Sequence, residues 1–189
     1  MAHSRQIMLG LAALTLVATA CGGGTGAGSG PVRGASSLPA TNATTAPLLP
    51  TDAHALPDFD FGKYQDLLAQ LEGTPVFVNI WASWCGPCQS EAPGLADAAR
   101  TYGTQVQFVG IDIQDSRGSA LAFMQRFGWS FPSVFDASGE IRDRLGFIGQ
   151  PVSLFYDASG RLVSSWSGPV DADLLARRLA GILTAPSAT

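Results

Sequence analysis

The stretch Val76-Phe77-Val78-Asn79-Ile80-Trp81-Ala82-Ser83-Trp84-Cys85-Gly86-Pro87-Cys88 decides the reading of this chain. Its first half is a run of β-formers in which Asn79 is the polar exception. A strand apolar on both faces belongs in the middle of a sheet covered by helices. Its second half holds two cysteines separated by two residues, and Gln89 to Tyr102 then reads as a helix. Cys85 therefore stands where a strand hands over to a helix. There its sulfur faces unpaired backbone N–H groups and the positive end of the helix dipole. Both stabilise the thiolate, the species that attacks disulfides. Pro87 in the first turn costs no hydrogen bond, because those N–H groups have no partner within the helix. Cys88, three residues on, lies on the same side and further in. The expected division of labour is that Cys85 attacks to form a mixed disulfide and Cys88 resolves it.

The rest of the composition narrows the alternatives. The chain has 189 residues, three cysteines, two histidines and a net charge of −4, with 46% hydrophobic residues. That length fits one domain with appendages. No basic patch is present to neutralise phosphates, so nucleic acid is not an expected partner. Cys85 and Cys88 are too close in sequence to constrain much loop entropy, which makes a purely structural disulfide a poor explanation. Tetrahedral zinc needs two further ligands. The histidines, His3 and His54, fall near the N-terminus and in a linker, so neither a metal nor a cofactor is expected.

Upstream, residues 1–20 read as a secretory signal: His3 and Arg5 open it, and Ile7 to Ala20 is apolar or small throughout. That run falls short of the ~20 apolar residues of a spanning helix. Cys21, following Ala18-Thr19-Ala20, resembles the lipidated cysteine of bacterial lipoproteins, although Ala18 stands where a larger aliphatic residue is usual. The alternative is an ordinary cleavage site that leaves Cys21 a free thiol. Either way the domain is expected outside the cytoplasmic membrane. Residues 21–56 have the Gly, Ala, Thr and Pro composition of a linker that cannot bury enough surface to fold.

The folded part is expected over 57–184, with a short tail over 185–189. Tyr64, Leu67, Leu68 and Leu71 have helical spacing; Gln105 to Ile113 reads as a second buried strand. Ser116 caps a helix from Arg117 to Phe127. Phe131 to Phe135 is a short extended piece, and Gly139 to Leu145 a short helix. Strands over Pro151–Tyr156 and Arg161–Trp166 flank the hairpin turn Asp157-Ala158-Ser159-Gly160. Asp171 caps a closing helix to Leu183. Early strand–helix alternation implies parallel strands, and the late hairpin adds antiparallel ones.

The run from Val78 to Cys88, continued by Gln89-Ser90-Glu91-Ala92-Pro93, resembles the thioredoxin superfamily. More narrowly it is similar to the TlpA/ResA-like membrane-tethered thiol-disulfide oxidoreductases. The resemblance covers roughly residues 57–183 and implies an α/β thioredoxin fold, a mixed sheet of four to five strands with helices on both faces. It implies that Pro151 is a cis-proline facing the dithiol, which brings the backbone of Gln150 to the sulfurs as a pairing edge for an incoming peptide. It implies that Glu91 tunes the thiols and moves protons, the alternative being a solvated helix glutamate. Trp84, Gly86 and Pro87 complete the docking surface, and Pro93 is scaffold. Cytoplasmic thioredoxins carry a buried aspartate where this chain has Asn79, so proton handling falls to Glu91 or water.

The resemblance implies a reductase of selected disulfides outside the membrane, with a role in cytochrome c maturation among the options. A thiol oxidase is the alternative, because Gln150-Pro151 is also similar to secreted actinobacterial relatives that oxidise client proteins. A thioredoxin-fold peroxidase and a non-enzymatic tethered binding module remain as competitors. The peroxidase is disfavoured because the Pro-x-x-x-Thr-x-x-Cys setting is absent. The expected partners are protein dithiol or disulfide clients, a membrane electron donor or acceptor, and the membrane itself through a lipid anchor. The domain is expected to be a monomer.

Overall fold

The computed structural model describes residues 46–185. The signal region, Cys21, the linker up to residue 45 and the last four residues lie outside the described residues. The elements run α1 (Phe61–Gln70), β1 (Val76–Trp81), α2 (Gly86–Tyr102), β2 (Gln107–Ile113), α3 (Arg117–Phe127), β3 (Ser133–Asp136), α4 (Glu140–Arg144), β4 (Val152–Tyr156), β5 (Leu162–Ser167) and α5 (Ala172–Leu183). The extended piece after α3 is a full strand of the sheet.

The sheet order is β3-β2-β1-β4-β5. β1 pairs in parallel with β2, and β2 with β3; β4 runs antiparallel to β1, and β5 to β4. This is a thioredoxin fold. β1 is central and buried along its whole length, as its unbroken apolar run requires. Its alternate side chains enter two cores. Phe77 and Trp81 face α2, α3 and α5, where they meet Leu95, Phe123 and Leu179. Val76, Val78 and Ile80 face α1 and α4, where they meet Tyr64, Leu67 and Ile141. β5 is an edge strand and stays largely exposed.

Local signals explain the boundaries. Asp60, Ser116 and Asp171 each accept the N–H three residues on, which caps α1, α3 and α5. Gly128 ends α3 in the left-handed conformation at φ 64°. Asp157 holds the β4–β5 turn through the N–H groups of Ser159 and Arg161.

The boundary at residue 57 lies inside the packed region. Leu48 and Leu49 pack against the core below α1, and Leu56 is buried. The Leu48 N–H donates to Gln70 Oε1 at 3.0 Å. Pro57 to Phe59 runs beside β3, exchanging backbone hydrogen bonds of 2.8 Å with Phe135. The composition of 46–56 is linker-like, but three leucines and free backbone edges are enough for docking onto an existing core.

Candidate active site

Cys85 is the N-cap residue of α2, at φ −80° and ψ 108°. Its Sγ accepts the N–H of Cys88 at 3.2 Å. The two cysteines are joined as a disulfide, with their Cα atoms 5.2 Å apart. Both are buried, at 4% and 1% exposure. The helix that follows continues through Pro93, which is exposed.

Four loops converge on the dithiol. The β1–α2 loop brings Trp84, 57% exposed, whose Nε1 donates to Gln114 O at 3.0 Å. Gly86 and Pro87 are exposed beside it. The α4–β4 loop brings Gln150, whose carbonyl oxygen lies 3.8 Å from Cys85 Sγ, and the Gln150–Pro151 peptide bond is cis. A pocket of about 460 Å³ opens next to it, lined by Phe147, Ile148, Gln150, Pro151, Ser167 and Gly168 among others. Ile148 is 99% exposed. From the β2–α3 loop, Asp115 accepts the Ser83 N–H at 2.6 Å. From the β5–α5 loop, Val170 reaches under the helix toward Glu91.

Glu91 is buried rather than solvated, at 4% exposure. It stands one turn after Cys88 on the inward side of α2. Oε1 accepts from Asn79 Nδ2 at 2.9 Å and Oε2 from the Val170 N–H at 2.8 Å. Burial pushes its pKa up to about 7, and those two hydrogen bonds only partly oppose the shift. Asn79 Nδ2 also reaches Ser153 Oγ at 3.4 Å, while Asn79 Oδ1 has no partner. An amide that rotates can offer either atom, so it serves both the protonated and the ionised acid.

Asp112, in β2, is a further buried carboxyl on the face that carries the dithiol. It is fully buried with both oxygens lacking a donor. Burial, then the neighbouring Asp115, pushes its pKa up to about 8. The signal was present: an aspartate at an inward position of a strand buried on both faces cannot be a surface charge. Arg142, also buried, lies in α4, whose short sequence gives no sign of a site. Gln114, Ser153 and Val170 likewise gave no signal, because their partners are distant in sequence.

Among the described residues, no group of three or more His, Cys, Asp or Glu is placed to hold a metal ion. No described helix is long and apolar enough to cross a membrane.

Comparison with known proteins gives the site its context. Residues 52–165 match the family described as AhpC/TSA. The thiol:disulfide interchange protein DsbE of Allochromatium vinosum is 32% identical over 135 residues, covering 71% of this chain and 74% of that protein. The thiol-disulfide oxidoreductase ResA of Bacillus subtilis is 28% identical over 109 residues, covering 57% of this chain and 61% of its own length. Among solved structures, a secreted Mycobacterium tuberculosis disulfide oxidoreductase homologous to E. coli DsbE superposes with a TM-score of 0.56 at 31% identity, over 60% of this chain and 85% of that one.

Proposed function

The chain belongs to the AhpC/TSA family and is a thiol-disulfide oxidoreductase of the DsbE/ResA type, and on that premise we propose that it works outside the cytoplasmic membrane as a reductase of selected protein disulfides. Reduced Cys85 attacks one sulfur of a client disulfide. A Cys85–client S–S bond forms, the client's own S–S bond breaks, and one client thiolate leaves. Cys88 then attacks Cys85 Sγ, breaking the mixed disulfide and releasing the second client thiolate. Two electrons have passed to the client, and the Cys85–Cys88 disulfide remains. Glu91, with a pKa near 7, takes the proton from Cys88 as it attacks. Trp84, Gly86, Pro87 and the Gln150–Pro151 edge receive the client chain. A membrane dithiol returns the electrons, and a lipidated Cys21 keeps the domain at the membrane.

The observation that carries the reducing direction is the environment of the attacking sulfur. Its one hydrogen-bond donor among the described residues is the Cys88 N–H, and the acid one turn after Cys88, Glu91, is buried. The start of α2 stabilises the thiolate through that N–H and the helix dipole, but no second donor adds to it, so the disulfide is expected to stay the favoured form. Strong oxidants do the reverse and stabilise the reduced state. Equilibration with a redox buffer tests this. The potential is expected near the ~−270 mV of thioredoxin, and a value near the ~−120 mV of DsbA would establish the oxidase instead. In the full-length chain, Cys88→Ser should leave clients joined to Cys85 for identification by mass spectrometry. A peroxidase would keep consuming peroxide in that variant.

A further inference from the structure

Arg142 sits on α4, outside the dithiol loops, yet its guanidinium touches two of them. Nη1 donates to Gln150 Oε1 at 3.0 Å and to Gln114 Oε1 at 3.3 Å. The other edge is fixed by Asp143: Nε lies 2.8 Å and Nη2 2.7 Å from Asp143 Oδ1. A charge that is 9% exposed and held on both edges cannot swing away without leaving a buried ion unpaired. Both of its amide partners reach the reacting sulfur's surroundings. Gln150 presents the carbonyl 3.8 Å from Cys85 Sγ, and Gln114 O holds the indole of Trp84. Gln114 is itself an unusual corner, a non-glycine residue at φ 51°. It is kept there by its N–H on Asp136 O, its Nε2 on Ser138 O, and Arg142.

We propose that Arg142 is a positioning residue for client recognition, a bracket that fixes the Trp84 side and the Gln150 side of the docking surface at one spacing about Cys85. The planar fork of arginine can satisfy two amide oxygens and a carboxylate at once, which a lysine ammonium on a flexible stem cannot do with the same geometry. The bracket does not touch the sulfur. It therefore acts on the alignment of an extended protein chain, and leaves the intrinsic reactivity of Cys85 alone. A small disulfide that needs no docking surface should not register its loss.

The proposal rests on Cys85 exchanging disulfides with docked protein clients, and the test separates the two ideas. Full-length protein reduces insulin with dithiothreitol as the electron source, and in parallel its reduced form reacts with 5,5′-dithiobis(2-nitrobenzoate). Arg142→Lys and Arg142→Met are expected to raise KM for insulin about tenfold with kcat unchanged, and to leave the aromatic disulfide rate within about twofold. Gln150→Leu reaches the same bracket without altering α4, and adding Arg142→Met to it should raise KM by less than about twofold more. Parallel losses on both disulfides, no loss on either, or full additivity with Gln150→Leu would overturn the bracket. Failure of the unaltered protein to reduce insulin at all would instead remove the reading of the site on which it rests.

Discussion

The two faces of the sheet are buried to the same degree and built from different chemistry. Toward α1 and α4 the strands offer Val76, Val78, Ile80, Val109, Ile111, Val152 and Leu154. The polar groups there are paired: Asp136 accepts the N–H groups of Ser138, Gly139 and Ile141, and the hydroxyls of Tyr64 and Tyr156 meet. Toward α2, α3 and α5 the same strands alternate aromatics with Asn79, Asp112, Ser133 and Ser153. Asn79 Oδ1, Trp81 Nε1, Ser133 Oγ and both oxygens of Asp112 lie unpaired on that face. The face that carries the dithiol also carries the two carboxyls raised by burial. A buried polar atom without a partner costs about 1–3 kcal/mol, so the second face gives up stability that the first retains. What it gains is a pair of groups that change charge near neutral pH.

If that contrast is sound, acidity should act on one face alone, and Asp112 should show the largest effect. Its pKa is raised from 3.8 to about 8. A carboxyl whose folded pKa is raised contributes stability that is present below about pH 4 and lost as pH climbs to about 8. The loss is on the order of 5 kcal/mol if the whole shift is expressed. Asp112→Asn keeps the shape, places an N–H toward Asp115, and abolishes the titration. Denaturant unfolding should show the variant ahead of the native protein at about pH 8.5 and level with it at about pH 4. A difference that does not change with pH would place the electrostatic cost elsewhere.

Glu91 comes next, with a pKa raised from 4.5 to about 7. By the same sign, its stabilisation is present below about pH 4.5 and lost toward pH 7, at about 3 kcal/mol. Glu91→Gln should remove that slope. It should also remove the limb near pH 7 from the pH dependence of client reduction, because the proton acceptor for Cys88 is gone. If the limb survives in the variant, another group or water moves the proton, and Glu91 belongs to the packing of this face only.

The uneven legibility of the chain follows the same division. Strand β1, the dithiol at its end, and the caps Ser116 and Asp171 could be read because each is a local pattern: an apolar run, a two-residue spacing, a side chain three residues from its acceptor. The cis bond before Pro151 and a role for Glu91 at the thiols came only with the family resemblance, and the burial of Glu91 only with the structure, since nothing within a few residues dictates them. Arg142 with Gln114 and Gln150, and Glu91 with Val170, bring together loops that the sheet order alone makes neighbours. The docking of Leu48 and Leu49 was hidden by their alanine-, threonine- and proline-rich surroundings, which state composition and not contact.

The smallest effect is expected on the apolar face, and its value lies in being flat. Tyr64 and Tyr156 hydroxyls lie 2.5 Å apart, and burial raises both pKa values above the usual 10. Their stabilisation is therefore present throughout the range below pH 10 and is lost only at more alkaline pH, outside the window in which Glu91 and Asp112 change. Tyr64→Phe leaves the Tyr156 hydroxyl, in a residue 5% exposed, without its partner. The expected cost is about 1–2 kcal/mol, the same at about pH 4, 6 and 8, with the exchange activity untouched. A cost that changed across that range would mean that charge on the dithiol face is felt through the sheet, and the two faces would then have to be treated as one electrostatic unit.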